Sequence, residues 1–197
     1  MLNCWFILRV DVLRQLRWFR VNCWTLPPPS PNIYSTFMET PPPPKVVNRW
    51  PERPWPSVWR RLWHTGLHHD EANLLFLLLH NILPLRGRLA RFGVSDGANC
   101  RLCPGQLETA THFFCGCIRV ADNWQQLLLA LLPILGPIGD EDLLLLAWPP
   151  SPRDDDVTIA VALFVHQVWA SRGDRRPPSF ASFAATLRAR PAFTPLW

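Results

Sequence analysis

The chain has 197 residues, of which 48% are hydrophobic and 18% are charged. The nine glycines have no period, which excludes a collagen-like chain, and the many leucine, phenylalanine and tryptophan side chains argue against a wholly disordered one. The apolar runs fall short of the roughly 18–20 residues that a membrane span needs, so we expect a soluble protein with no membrane partner.

The formal net charge is +5, and the basic excess is unevenly distributed along the sequence. Residues 45–117 carry nine basic groups against five acidic ones, whereas seven arginines face eight acidic groups from residue 118 onward. All but one of the basic residues are arginine, the side chain best suited to bind phosphate through two parallel hydrogen bonds. A polyanion would therefore bind to the first and middle parts of the chain.

The first 56 residues divide into two segments without a strong folding pattern. Residues 1–26 mix apolar side chains with four arginines, which fits either a short basic amphipathic helix or a poorly ordered leader, and they lack the features of a secretion signal. Residues 27–56 are punctuated by prolines, including the run at 41–44, so neither a helix nor an interior strand continues through them. We predict an extended, disordered Pro-rich linker.

From residue 57 onward the hydrophobic spacing predicts a mainly α fold, a small helical bundle with no strand-rich region. Asp70 is the expected N-cap of the second helix, Pro133 is expected to end a later one, and the 4- and 5-residue spacing of Trp50, Trp55, Trp59 and Trp63 predicts a tryptophan face that packs inward. The predicted helical segments are 57–64, 70–83, 86–92, 118–132, 140–148, 157–171 and 179–188.

Four of the six cysteines and one histidine fall within eighteen residues, in the pattern Cys100-x2-Cys103-x8-His112-x4-Cys117, with Cys115 as an extra thiol. The C-x2-C pair is followed by Pro-Gly, and two intervening residues let both sulfurs reach one ion. Four nitrogen and sulfur ligands fit a closed tetrahedral Zn²⁺ site, which leaves no position for a reacting water. We therefore predict one structural zinc ion.

Other interpretations of this cluster remain open on the sequence alone. Two disulfides would need an oxidising compartment and would leave His112 unexplained, and four reduced cysteines without a metal are also possible. Cys115 lies three positions after His112 and is an alternative fourth ligand to Cys117. Because no secretion signal is found, we expect an intracellular protein, nuclear or cytoplasmic.

The order of the motifs around the cluster is similar to that of a known protein family. Asn81-x-Leu-Pro leads to Arg88-Leu-x-x-x-Gly, then to C-x2-C, to Glu108-Thr-x-x-His, and finally to Cys117 with Trp124 seven residues later. In this order and spacing, residues 57–127 resemble the reverse transcriptase zinc-binding domain, a module at or beyond the C-terminal end of non-LTR retrotransposon polyproteins. The resemblance implies a domain at 57–132 with a helical extension at 133–197, and it implies zinc ligands at Cys100, Cys103, His112 and Cys117.

The resemblance also implies a role in handling nucleic acid. Independently of it, four arginines flank the cysteine cluster and are candidates for phosphate contacts, although a solvated helix face is the competing interpretation: Arg86, Arg88, Arg91 and Arg101. The expected partner is RNA or single-stranded DNA, with no small-molecule substrate. The sequence leaves the oligomeric state open.

Nothing in the sequence indicates catalysis. A reverse transcriptase needs paired carboxylates after an aromatic residue, a pattern that is absent, and we interpret the acidic runs at 140–142 and 154–156 as helix caps. We therefore expect a non-catalytic zinc-binding domain derived from a retrotransposon. Of its candidate functions, nucleic-acid binding comes first. The alternatives are a protein-interaction adaptor that uses the Pro-rich segment and a retroelement remnant with no selected function.

Overall fold

The computed structural model describes residues 47, 49–64, 66–173, 179–190 and 193. In this part of the chain the fold is mainly α, as predicted, and its extended pairing is limited to one isolated bridge between Asn99 and Leu107. The elements in chain order are α1 (Trp55–Leu62), α2 (His69–Leu79), α3 (Arg86–Arg91), a π-helical turn (His112–Gly116), α4 (Ala121–Leu135), α5 (Asp140–Leu144), α6 (Asp154–Ala170), a 3-10 turn (Ser171–Gly173) and α7 (Phe180–Arg188).

Two of the predicted segments fall largely or wholly beyond these residues. The leader, residues 1–26, and the Pro-rich segment as far as residue 46 lie outside the part of the chain that the structure describes. Among the described helices, none is both long and apolar enough to cross a membrane.

The longest helix, α6, is the centre of the core. All nine residues from Val157 to Val165 are buried, and all but Thr158 are apolar, so this stretch of the helix packs on several neighbours at once. It contacts α1 and α2, which precede it in the sequence, and α7, which follows it. Helices before and after residue 133 therefore share a single hydrophobic core.

A buried ion pair joins α1 to the start of α6. The Arg61 guanidinium, 2% exposed, donates to both carboxylate oxygens of Asp154, and Trp148 Nε1 donates to the same carboxylate over 2.7 Å. Burial alone would raise the pKa of Asp154, but the bonds from Arg61 and Trp148 and the charges of Arg61 and Arg60 outweigh it and lower that pKa. The first carboxylate of the 154–156 run thus binds an arginine, where the sequence suggested a helix cap.

Two local expectations are wrong at the level of single residues. Pro133 does not end α4, which continues to Leu135. Because proline has no N–H, the Leu129 carbonyl loses its helical hydrogen bond. Leu129 is 66% exposed, so water can replace the lost bond. Asp70 lies in the first turn of α2 and does not cap it. The residue before the helix is His68, whose N–H donates to Glu71 Oε2 over 2.9 Å.

The tryptophan face of α1 is only partly turned inward. Trp55 is 6% exposed and stacks on Trp59 with ring centroids 5.4 Å apart, but Trp63 is 63% exposed. The helix begins two residues earlier than predicted because Pro56 falls in its first turn, where a missing N–H costs no helical hydrogen bond. Trp63 is the last of the four and follows the end of the helix at Leu62, so the helical spacing no longer controls its direction.

Candidate metal centre

The first half of the candidate metal centre is a knuckle, residues 98–108, that folds back on itself. The Cys100 N–H donates to Gln106 O over 2.8 Å, and the Glu108 N–H donates to Ala98 O over 3.0 Å. At its tip the Gln106 N–H donates to Cys103 O over 3.0 Å, and Gly105 has φ of +88°. Pro104 followed by a glycine with positive φ matches a type II turn, so the Pro-Gly dipeptide sets the chain reversal that brings the two cysteines together.

The second half is the π-helical turn and the residue that follows it. Thr109 opens this turn, since its Oγ1 accepts from the His112 N–H over 3.1 Å and its carbonyl accepts from the Phe113 N–H. Cys117 follows the turn in an extended conformation, and its carbonyl accepts from the Ala121 N–H at the start of α4. His112 and Cys117 are therefore held at the two ends of one rigid turn.

These elements bring four ligand atoms to one place. One side-chain atom each from Cys100, Cys103, His112 and Cys117 lies within 4.8 Å of the other three. Cys117 Sγ is 3.9 Å from Cys100 Sγ and 3.8 Å from Cys103 Sγ. A tetrahedral zinc ion with Zn–S bonds of about 2.3 Å separates its sulfur ligands by about 3.8 Å, so the spacing of the sulfurs fits that ion.

The histidine gives a second sign that the residues present fit a metal. His112 Nε2 is buried and has no hydrogen-bond partner. A buried ring nitrogen without a partner is costly, and coordination of an ion would remove that cost.

The geometry also bears on the extra thiol and on the disulfide alternative. Cys115 is 3% exposed but is not part of the group of converging ligand atoms. Burial, reinforced by the negative charge of Asp140, raises the pKa of the Cys115 thiol. All four clustered cysteines are free, and the sulfur separations of 3.8–3.9 Å are far above the about 2.05 Å of a disulfide bond.

The electrostatics of the cluster disfavour a thiolate at Cys117 as long as no cation neutralises it. Burial, with smaller contributions from Cys100 and Cys103, raises the pKa of Cys117 to about 12, while a hydrogen bond from the Arg119 backbone N–H acts in the opposite direction. Three sulfurs at these distances are deprotonated together only when a positive ion lies among them.

A buried carboxylate supports the knuckle from behind. Glu108, 5% exposed, accepts from the Arg86 N–H over 2.8 Å and from Arg172 Nη2 over 2.9 Å. The Arg172 guanidinium also lies over the rings of Phe113 and Trp169, with centroid distances of 5.4 and 4.9 Å. A residue that follows α6 thus contacts both halves of the metal centre.

The four arginines predicted to bind nucleic acid do not lie together. Arg86 and Arg101 line a cleft of 630 Å³ that adjoins the ligand cluster, whereas Arg88 and Arg91 line a second cleft of 170 Å³.

Two arginines that the sequence analysis did not select also line the larger cleft, namely Arg119 and Arg172. Arg119 lies only two residues after Cys117, so its proximity to the cluster was a usable signal. Arg172 is separated from Cys117 by the whole of α4, α5 and α6, and no local pattern indicates its position.

A comparison with known protein families finds a match to the part of the chain that contains the metal centre. Residues 46–124 match a family model described as zinc-binding in reverse transcriptase, and this segment contains all four converging residues and covers about two fifths of the chain. No curated protein and no solved structure matches the chain.

Proposed function

Because residues 46–124 carry a reverse transcriptase zinc-binding domain, we propose that the chain binds one Zn²⁺ through Cys100, Cys103, His112 and Cys117. The observation that carries this proposal is the convergence of three sulfurs and one ring nitrogen within 4.8 Å of one another. Soft thiolate ligands with one imidazole select zinc among the common divalent ions.

The ion has a structural role in this proposal. Four protein ligands complete a tetrahedron and leave no position for water or substrate, which is the property that separates structural from catalytic zinc sites. The ligands come from two segments, the knuckle and the π-helical turn, so the ion ties these segments together. We accordingly assign the chain no enzymatic activity.

The second part of the proposal is that this retrotransposon-derived domain contacts RNA or single-stranded DNA. Its support is the basic excess in residues 45–117 and the arginine-lined cleft that adjoins the ligand cluster. Arginine guanidinium groups bind phosphate through two parallel hydrogen bonds, independently of base sequence. The Pro-rich segment on which an adaptor function would rely lies outside the described residues up to position 46.

Metal analysis of the purified protein tests the zinc site. We expect one zinc per chain in the wild type, loss of zinc in Cys117→Ser, and full retention in Cys115→Ser, because only Cys117 joins the ligand group. Cys115→Ser is the matched control, since both thiols are buried in the same turn region. Retention in Cys117→Ser together with loss in Cys115→Ser would reverse the ligand assignment.

Salt dependence tests nucleic-acid binding. A labelled 20-nucleotide single strand should bind the zinc-loaded chain at low salt and be released as salt rises. The logarithm of the association constant should fall with the logarithm of salt by about 0.7 for each phosphate contacted. Absence of binding at 20 mM salt would remove this part of the proposal and leave the zinc site unaffected.

A further inference from the structure

We propose that the 630 Å³ cleft beside the ligand cluster holds the phosphate backbone of an unpaired nucleic-acid strand. This inference rests on the nucleic-acid function proposed above and assigns it to one place on the molecule. Four arginines line the cleft, contributed by α3, the knuckle, the start of α4 and the 3-10 turn after α6: Arg86, Arg101, Arg119 and Arg172.

The charge of this cleft is positive even after its acidic groups are counted. Among the described residues that line it, Glu108 is the one carboxylate, and a zinc ion bound by three thiolates and a neutral imidazole would add a single net negative charge. The four guanidinium groups exceed these two negative charges. A cleft with charge of one sign and low-dielectric walls concentrates the opposite charge, here the phosphates of a strand.

Three of the four arginines are already held in place, each by at least one backbone carbonyl oxygen. Arg86 Nε donates to Asn99 O over 2.9 Å, and Arg119 Nη2 donates to Ser171 O over 2.9 Å. Arg172 Nη1 donates to Pro84 O over 2.9 Å.

A backbone carbonyl orients an arginine without cancelling its charge, and Arg172 in addition shares the carboxylate of Glu108. Groups that are fixed before the ligand arrives lose less conformational entropy when they bind it. Arg101 is exposed at the tip of the knuckle and is the arginine most accessible to a strand.

The cleft also has exposed apolar side chains in its lining, and this favours an unpaired strand over a duplex. Leu102 and Val94 are 45% and 63% exposed, and both line the cleft beside the arginines. An unpaired strand can put a phosphate on a guanidinium and the face of a base on an apolar side chain, whereas a duplex keeps its base faces stacked inside. The volume of the cleft lies within the about 300–1,000 Å³ of typical small-ligand sites, enough for a short stretch of nucleotides.

The second arginine-lined cleft is a weaker candidate on the same criteria. It has 170 Å³, and its lining includes the carboxylates of Glu108 and Glu141. Three arginines line it, Arg49, Arg88 and Arg91, one fewer than in the larger cleft. These features leave less room and less free positive charge for a strand.

The test compares two double variants that remove the same charge from the two clefts. The zinc-loaded full-length chain is titrated with a fluorescein-labelled 20-nucleotide oligo(U) at 100 mM salt. The variants are Arg101→Gln with Arg119→Gln in the larger cleft and Arg88→Gln with Arg91→Gln in the smaller one. Arg188→Gln, exposed on α7, is the control for loss of one positive charge elsewhere.

We expect the Arg101/Arg119 double variant to bind about ten-fold or more weaker and to lose about 1.4 from the salt slope, because two phosphate contacts disappear. The Arg88/Arg91 double variant should bind within about three-fold of wild type, and Arg188→Gln within about two-fold, since distant exposed charges are screened at this salt. An unlabelled duplex of equal length should compete poorly. Zinc content and melting temperature, measured for every variant, identify any loss of binding that comes from unfolding.

The outcomes separate this inference from the proposed function. If the wild type binds the strand and the Arg88/Arg91 variant loses more affinity than the Arg101/Arg119 variant, the cleft assignment is wrong while nucleic-acid binding stands. Equal competition by the duplex would overturn the choice of an unpaired strand. If the wild type does not bind the strand at low salt, the proposed nucleic-acid function fails, and the cleft assignment fails with it.

Discussion

The metal centre, residues 98–117, and helix α6 are stabilised in opposite ways. Helix α6 has nine consecutive buried residues and owes its position to apolar packing on α1, α2 and α7. In the metal centre Leu102 and Leu107 are each 45% exposed, and besides the rings of Phe113 and Phe114 the buried groups include four cysteine sulfurs, a histidine nitrogen and a glutamate. A twenty-residue segment cannot bury enough apolar surface to hold itself together, so under the proposed function it depends on the zinc ion and on charged hydrogen bonds.

The largest expected effect is that of metal removal, which should separate the two regions. Structural zinc contributes about 10–16 kcal/mol of apparent binding free energy in isolated zinc-finger peptides at neutral pH. After chelation we expect the backbone amides of the metal centre to lose protection from hydrogen exchange, while those of α6 stay protected. Exchange measured by mass spectrometry with and without a chelator checks this.

The matched control for chelation is the Cys115→Ser variant, which should keep both its zinc and its exchange protection. If α6 loses protection to the same extent as the knuckle on chelation, the two regions are stabilised together, and the contrast between them is wrong.

The next largest effect concerns the buried ion pair of the helical core. Asp154→Ala leaves the buried Arg61 guanidinium without its carboxylate, which should lower the free energy of unfolding by about 3–5 kcal/mol. Urea denaturation followed by circular dichroism measures the change. Arg60→Gln is the control: Arg60 binds the same carboxylate, but its side chain is 58% exposed, so its loss should cost at most about 1 kcal/mol.

A smaller effect is expected where the two regions meet. Arg172→Gln removes a charged hydrogen bond to Glu108 and the stacking over Phe113, and it should cost about 1.5–3 kcal/mol. It should also speed the release of zinc to a colorimetric chelator, because Glu108 would lose one of its two partners behind the knuckle. Unchanged zinc release in a destabilised variant would show that Arg172 supports only the helical core.

The smallest expected effect is a test of close packing between α3 and the knuckle. A Cβ at Gly87 would lie 2.8 Å from the Glu108 carbonyl oxygen, closer than real contacts allow. Gly87→Ala should therefore destabilise the chain by about 1–3 kcal/mol. Gly173→Ala is the control, since a Cβ there meets nothing within 4 Å and its stability should change by less than about 0.5 kcal/mol. Thermal unfolding of both variants in the zinc-loaded form makes the comparison.

Much of the fold was predictable because local patterns determine it. The helical segments follow from hydrophobic spacing, and the grouping of Cys100, Cys103, His112 and Cys117 follows from spacing that one ion imposes. The errors arose where the surroundings of a residue removed the energetic cost on which a sequence rule depends. Pro133 is exposed near the end of α4, so the helix tolerates it.

What the sequence did not reveal is which distant residues complete each site. Arg172 binds Glu108, 64 positions away in the sequence, and Arg61 binds Asp154, 93 positions away. The residues next to each arginine do not indicate which carboxylate it binds. Similarly, the largely apolar run from Val157 to Val165 in α6 indicates a buried helix but does not say which helices surround it. Such pairings are set by the packing of whole helices, which no short window of sequence contains.

The position of α6 late in the chain has a consequence for synthesis on the ribosome. The α1 and α2 helices are made first, yet the helix that covers their buried leucines is completed only at Ala170. The earlier helices therefore wait, with the faces that α6 covers exposed, until translation has passed well beyond the cysteine cluster. The nascent protein therefore meets zinc before it meets its own core, and the metal can order residues 98–117 while the rest of the bundle is still incomplete.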